Sequence, residues 1–114
     1  MAETTPAPRQ QLLQMLHGYW IAQAIHVAAQ LRLADHLYDG PKTATDLASL
    51  TQTQPHPLYR LLRALASAGI FTEDAQQRFR LTPVAECLLD RPGSQYAVAL
   101  MMGAEHYRSW GDLL

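Results

Sequence analysis

Between Gly18 and Leu37 the chain reads GYWIAQAIHVAAQLRLADHL, a tract that is apolar on nearly every side when wound into a helix. Gln23, His26 and Gln30 alone make a clear polar stripe, at steps of three and four residues. A helix of this kind is buried from two directions. In a chain of 114 residues the second direction is expected to be another subunit. The tract therefore points to association rather than to chemistry. Gln23, His26, Gln30 and Arg32 interrupt it, so it does not read as a membrane span.

Length and composition admit one core. The hydrophobic fraction is 48% against 17% charged, which places the chain among globular domains, and the low charge again suggests surface hidden in an interface. The formal net charge is −1 and Lys42 is the single lysine, so nucleic acid is not an expected partner. Cys87 is the only cysteine, which excludes an intrachain disulfide and makes the cytoplasm the simplest compartment. It is expected as a buried, inert thiol in an apolar helix. The opening MAETTPAPRQ lacks the apolar core of a signal peptide, and residues 1–9 are expected as a flexible N-terminus.

Punctuation divides the rest. A short helix is predicted over Gln10–His17, with Gly18 as a break, followed by the long helix to near Tyr38. Asp39-Gly40-Pro41 is a turn. Thr43 and Asp46 fit a capping box, and Leu47 and Leu50 are the expected inner face of the helix it opens. Pro55 and Pro57 suit a first helical turn, Leu58, Leu61, Leu62 and Leu65 repeat at helical spacing, and Gly69 is a left-handed stop. Two strand-like runs, Ile70–Glu73 and Arg78–Leu81, flank Asp74–Gln77 as a hairpin. Thr82-Pro83 restarts a helix, and a last helical region follows from Ser94 with a break at Gly103.

The predicted fold is mainly α and winged-helix-like: helix-turn-helix, then a short β-hairpin, with additional dimerisation helices. A DNA-binding transcription regulator is the alternative this order allows. Its second helix offers only Arg60, Arg63 and His56, and Arg78 and Arg80 on one side of a strand form the one positive patch. No metal site is expected. His17, His26 and His36 lie nine and ten residues apart, and nine steps of about 100° place two of them on opposite sides of a helix.

The runs GYWIAQAIHVAAQLRLADHL, LYRLLRALASAGIF, FRLTPVAECL and EHYRSWGDLL, in this order and spacing, resemble the N-terminal dimerisation domain of the small-molecule O-methyltransferases of plants and bacteria. The resemblance covers about residues 11–114. It implies a homodimer that assembles an enzyme acting on a small, aromatic, hydroxylated metabolite. It also implies a further Rossmann-like domain, in which a Gly-rich turn binds S-adenosylmethionine and a His is the general base. No such turn follows a strand here, so the chain is expected to be a fragment or excised domain, to bind no cofactor and to hold no catalytic residue. Residues 10–93 are then the dimerisation domain and 94–114 the start of a connector. Met101, Met102 and His106 match the region that lines the acceptor pocket. Where the family often has Met-Asn, this chain has Met102-Gly103. Tyr19, Trp20, Ile21, Ile25 and Ala28 are the expected dimer contacts, and Trp110 an anchor between domains.

Overall fold

A computed structural model describes residues 7–106, with side chains described as far as Ala104. The chain is mainly helical. Helices α1 (Pro8–Leu16), α2 (Gly18–Gln30) and α3 (Leu33–Leu37) come first. A short strand β1 (Lys42–Thr43), helices α4 (Ala44–Thr51) and α5 (Pro55–Ser67), and strands β2 (Phe71–Glu73) and β3 (Arg78–Leu81) follow. Helix α6 (Pro83–Glu86), helix α7 (Tyr96–Met101) and a π turn (Met102–His106) complete the order.

The sheet is antiparallel in the order β1-β3-β2. Phe71 pairs with Leu81 and Glu73 with Phe79, and on the other edge Lys42 pairs with Phe79. The hairpin was legible in the alternation of Phe71 and Phe79 with polar residues. The two-residue β1 was not, because a strand that short carries no period of its own. The turn closes on Asp74, whose Oδ1 accepts from the amides of Gln76 and Arg78 at 2.9 Å each.

Phe71, Phe79, Leu33, Leu47, Leu62 and Leu65 are the largest fully buried side chains, so the core lies between the sheet, α3, α4 and α5. Each such burial stabilises the fold by about 1.5–3 kcal/mol relative to exposure. Tyr59 meets Phe79 edge to face, with centroids 5.9 Å apart. The capping box at Thr43 forms as predicted: the Asp46 amide donates to Thr43 Oγ1 at 3.1 Å and the Thr43 amide to Asp46 Oδ2 at 3.2 Å. Gly69, at φ +87°, ends α5 in a Schellman motif, with the Ile70 amide on the Leu65 carbonyl and the Gly69 amide on that of Ala66.

Four expectations change. The long tract is two helices, because Arg32 takes a left-handed conformation (φ 54°, ψ 40°). A continuous helix would put Asp35 on the face of Ala28, seven residues and about two turns earlier. The break turns Leu33, Ala34 and Leu37 into the core instead. The first helix starts at Pro8, whose fixed φ suits a first turn, rather than at Gln10. In α4 the inner face is Ala44, Leu47 and Ala48, and Leu50 is half exposed, since it lies about 60° beyond Leu47, on the side away from Ala44 and Ala48. Cys87 is exposed, not buried: α6 is a single turn that sends Ala85, Leu88 and Leu89 inward.

Candidate functional site

Pro8 at the first helical position and good helix formers after it build α1. Among the described residues, none of its nine side chains is buried. Leu12, Leu13, Met15 and Leu16 are all exposed, Met15 at 72%. Tyr19 and Trp20, in the first turn of α2, extend this surface, with Trp20 49% exposed, and with His17 they line a shallow depression. A nine-residue helix is marginal in water on its own and draws its stability from packing. A contiguous apolar surface of this extent is the mark of an interface.

The expected dimer contacts divide along α2. Tyr19 and Trp20 are exposed, Ile21 and Ile25 are half-buried, and Ile25 packs on the core. Ala28 is 2% exposed and sits inside the chain's own core, out of reach of a second chain.

The same helix carries the C-terminal segment. Arg32 donates to Asp90 Oδ2 at 2.6 Å, and its guanidinium lies 5.2 Å from the centroid of the Tyr96 ring, which ties the start of α7 to the α2–α3 junction. That hydrogen bond to the Asp90 carboxylate raises the Arg32 pKa above its ordinary value. Farther on, Gln23 Nε2 donates to the Gly103 carbonyl at 3.1 Å. His26 Nδ1 stands 3.2 Å from the Ala99 carbonyl. A carbonyl only accepts, so Nδ1 carries the proton. Gln23 and His26, read in the sequence as a polar stripe, are therefore the seat of α7 and the π turn, while Gln30 is exposed. Their spacing was visible, but the backbone carbonyls they bond could not be read from a distant part of the chain.

Met101 (45%) and Met102 (52%) are exposed at the end of this seated segment. The side chain of His106, and all of Trp110, lie outside the described residues. No helix among the described residues is long and apolar enough to cross a membrane.

Five of the basic groups, Arg32, Lys42, Arg63, Arg78 and Arg80, are engaged within the chain. Arg78 and Arg80, the sequence's positive patch, both reach Asp74 Oδ2, at 2.9 and 3.5 Å. The backbone amide of Arg78, then that of Gln76 and the Arg78 side chain, hold the Asp74 carboxyl below its ordinary pKa. Arg63 lies 3.2 Å from Glu73 and donates to the Tyr59 hydroxyl, which in turn donates to Glu73. The strands are short and antiparallel, so the described residues offer no crevice at the ends of parallel strands in which a nucleotide-like cofactor could sit.

The model of the O-methyltransferase dimerisation domain family matches residues 13–91. The phenazine O-methyltransferase PhzM of Lysobacter antibioticus is 44% identical over 104 residues, which are 90% of this chain and 30% of that protein. The 8-amino-8-demethylriboflavin N,N-dimethyltransferase of Streptomyces davaonensis is 38% identical over 90 residues, 75% of this chain and 26% of that protein. The crystal structure of LaPhzM superposes with a TM-score of 0.90 at 41% identity, over 95% of this chain and 33% of that one. The chain thus spans about a third of the length of the relatives it matches.

Proposed function

The chain belongs to the O-methyltransferase dimerisation domain family, and from that premise we propose that it joins two copies of an S-adenosylmethionine-dependent O-methyltransferase and walls the acceptor side of its pocket. The observation that carries the first part is α1, a helix with no buried side chain among the described residues and four exposed apolar ones. Tyr19, Trp20, Ile21 and Ile25 continue that surface, and a second copy of the chain covers it. Burying a Trp or Leu there contributes about 1.5–3 kcal/mol each.

The dimerisation unit is residues 10–93, joined by α1 from Pro8, and residues 94–114 begin the connector. The order α3-β1-α4-α5-β2-β3 is a winged-helix arrangement put to structural use, since Arg63 of α5 and Arg78 and Arg80 of the hairpin, which would meet phosphates, are paired with Glu73 and Asp74. By the family resemblance, we assign the cofactor and the general base to another part of the enzyme. The acceptor is a small aromatic metabolite. By their match to the pocket-lining region of the family, Met101, Met102 and His106 are assigned to the wall of its pocket, and flexible, polarizable thioethers suit flat rings. A relative that methylates an amine shares this domain, which supports a role in assembly and pocket shape rather than in activating a particular heteroatom. A lone exposed thiol at Cys87 fits the reducing cytoplasm.

The mass in solution by light scattering, across a dilution series, tests the assembly. A dimer at micromolar concentration is expected, and a monomer throughout would overturn it. In the intact enzyme, Met101→Ala and Met102→Ala are expected to raise the acceptor KM several-fold with the cofactor KM unchanged. An unchanged acceptor KM in both would overturn the pocket assignment.

A further inference from the structure

Gly103 has no room for a side chain. A Cβ at this position would stand 2.0 Å from His26 Cγ and 2.2 Å from His26 Cβ and Nδ1. These atoms lie next to the backbone of a residue that is 8% exposed, so they cannot swing aside as the tip of a long side chain would. The imidazole thus fills the space that a side chain at 103 would occupy.

A second observation is independent of the first. His26 and Gln23 bond the carbonyls of Ala99 and Gly103, one on each side of the passage from α7 into the π turn. Such widened turns recur at functional sites. Met101 and Met102 lie between the two bonded carbonyls. With the backbone held before and after them, the direction in which both thioethers leave the helix is set.

We infer that His26 and Gly103 form a lock that orients Met101 and Met102, with His26 acting as a positioning residue through the backbone of residues 99–103. Its consequence for acceptor selection rests on the pocket reading above; the lock itself does not. A position-103 side chain and the His26 ring exclude one another, so the residue at 26 sets which backbone path this segment can follow.

Methionine methyl NMR on the 114-residue chain tests it. His26→Ala is expected to move the Met101 and Met102 signals and to leave that of Met15, on α1, in place. His26→Asn, whose Nδ2 can stand where Nδ1 stands, is expected to keep them near their native positions, which separates hydrogen bonding from the loss of a ring current. Gly103→Ala is expected to lower Tm in the native background and to be neutral or favourable beside His26→Ala. Methionine signals unmoved by His26→Ala in a folded chain would overturn the lock, as would an equal Tm loss from Gly103→Ala in both backgrounds. Should His26→Ala fail to fold, the His26 ring signals in Gly103→Ala decide: displaced signals support the lock and unmoved ones overturn it. These spectra contain no acceptor, so they fail or succeed apart from the KM measurements.

Discussion

Arg32 accepts a left-handed backbone that costs an ordinary residue roughly 1–2 kcal/mol. The strain is offset by the burial of Leu33, Ala34 and Leu37 that the break makes possible, and by the pairing with Asp90 and Tyr96. Nothing local in Leu31-Arg32-Leu33 announces this, because arginine is a good helix former and the apolar run continues past it. Asp74 is the opposite case, since an Asp at the head of the short Ala75-Gln76-Gln77 link between two strand-like runs is a local turn signal. Its carboxylate is held below the ordinary value of 3.8 by native hydrogen bonds, so its contribution is complete above that value and is lost as pH falls through the folded pKa. Tm is expected to stay level from pH 7 to about 5 and to fall below about 4, and Asp74→Asn to start lower and fall less steeply. A variant as acid-sensitive as the native chain would assign that fall to other carboxylates, among them Asp39, whose pKa the hydrogen bond from Lys42 also lowers.

At the scale of elements, α2 does three jobs with three sets of residues. Ala24, Ala28 and Ala29 bury against the chain's own core, Gln23 and His26 seat the C-terminal segment, and Tyr19 and Trp20 stay exposed, open to the partner proposed above. That the tract is covered from more than one side was legible from its composition, but the cover expected from a second subunit is supplied in part by the chain's own α7 and π turn. The division was not legible: Ala28, expected at the interface, is buried in the core cluster that includes Leu33, Leu58 and Leu62. The difference is measurable. Trp20→Asp is expected to weaken dimerisation by about 2 kcal/mol, roughly thirtyfold in Kd, with the monomer's fold intact. Ile25→Asp puts a charge against the core and is expected to lower Tm as well as weaken dimerisation. Equilibrium sedimentation with parallel thermal melts separates the two, and a fully dimeric Trp20→Asp would remove the start of α2 from the interface.

On the scale of the whole molecule, the chain builds one small core and leaves two kinds of surface uncovered. The apolar side chains of α1 and the start of α2 make the first, and Val98, Met101 and Met102 make the second. Both adjoin α2, so whatever covers the first surface presses on the helix that seats the second. On the function proposed above, pairing of two subunits and the shape of the acceptor wall would thereby be mechanically connected. Arg32, Lys42, Arg63, Arg78 and Arg80 are paired with Asp90, Asp39, Glu73 and Asp74, which lowers the free positive charge that phosphate would meet.

Local information in the sequence determined the elements that close on themselves: the capping box at Thr43, the glycine stop at Gly69, the hairpin about Asp74 and the Thr82 cap with Pro83. Each is made by residues within a few positions of one another, so spacing suffices to find it. Tertiary structure alone decided the break at Arg32, the strand at Lys42–Thr43 and the contact of His26 with Gly103. In these, the group that satisfies or excludes a residue comes from far along the chain: 58 residues for Arg32 and Asp90, and 73 for His26 and the Ala99 carbonyl. No period or cap in the sequence encodes which distant carbonyl a histidine will meet; packing the helices around one core does.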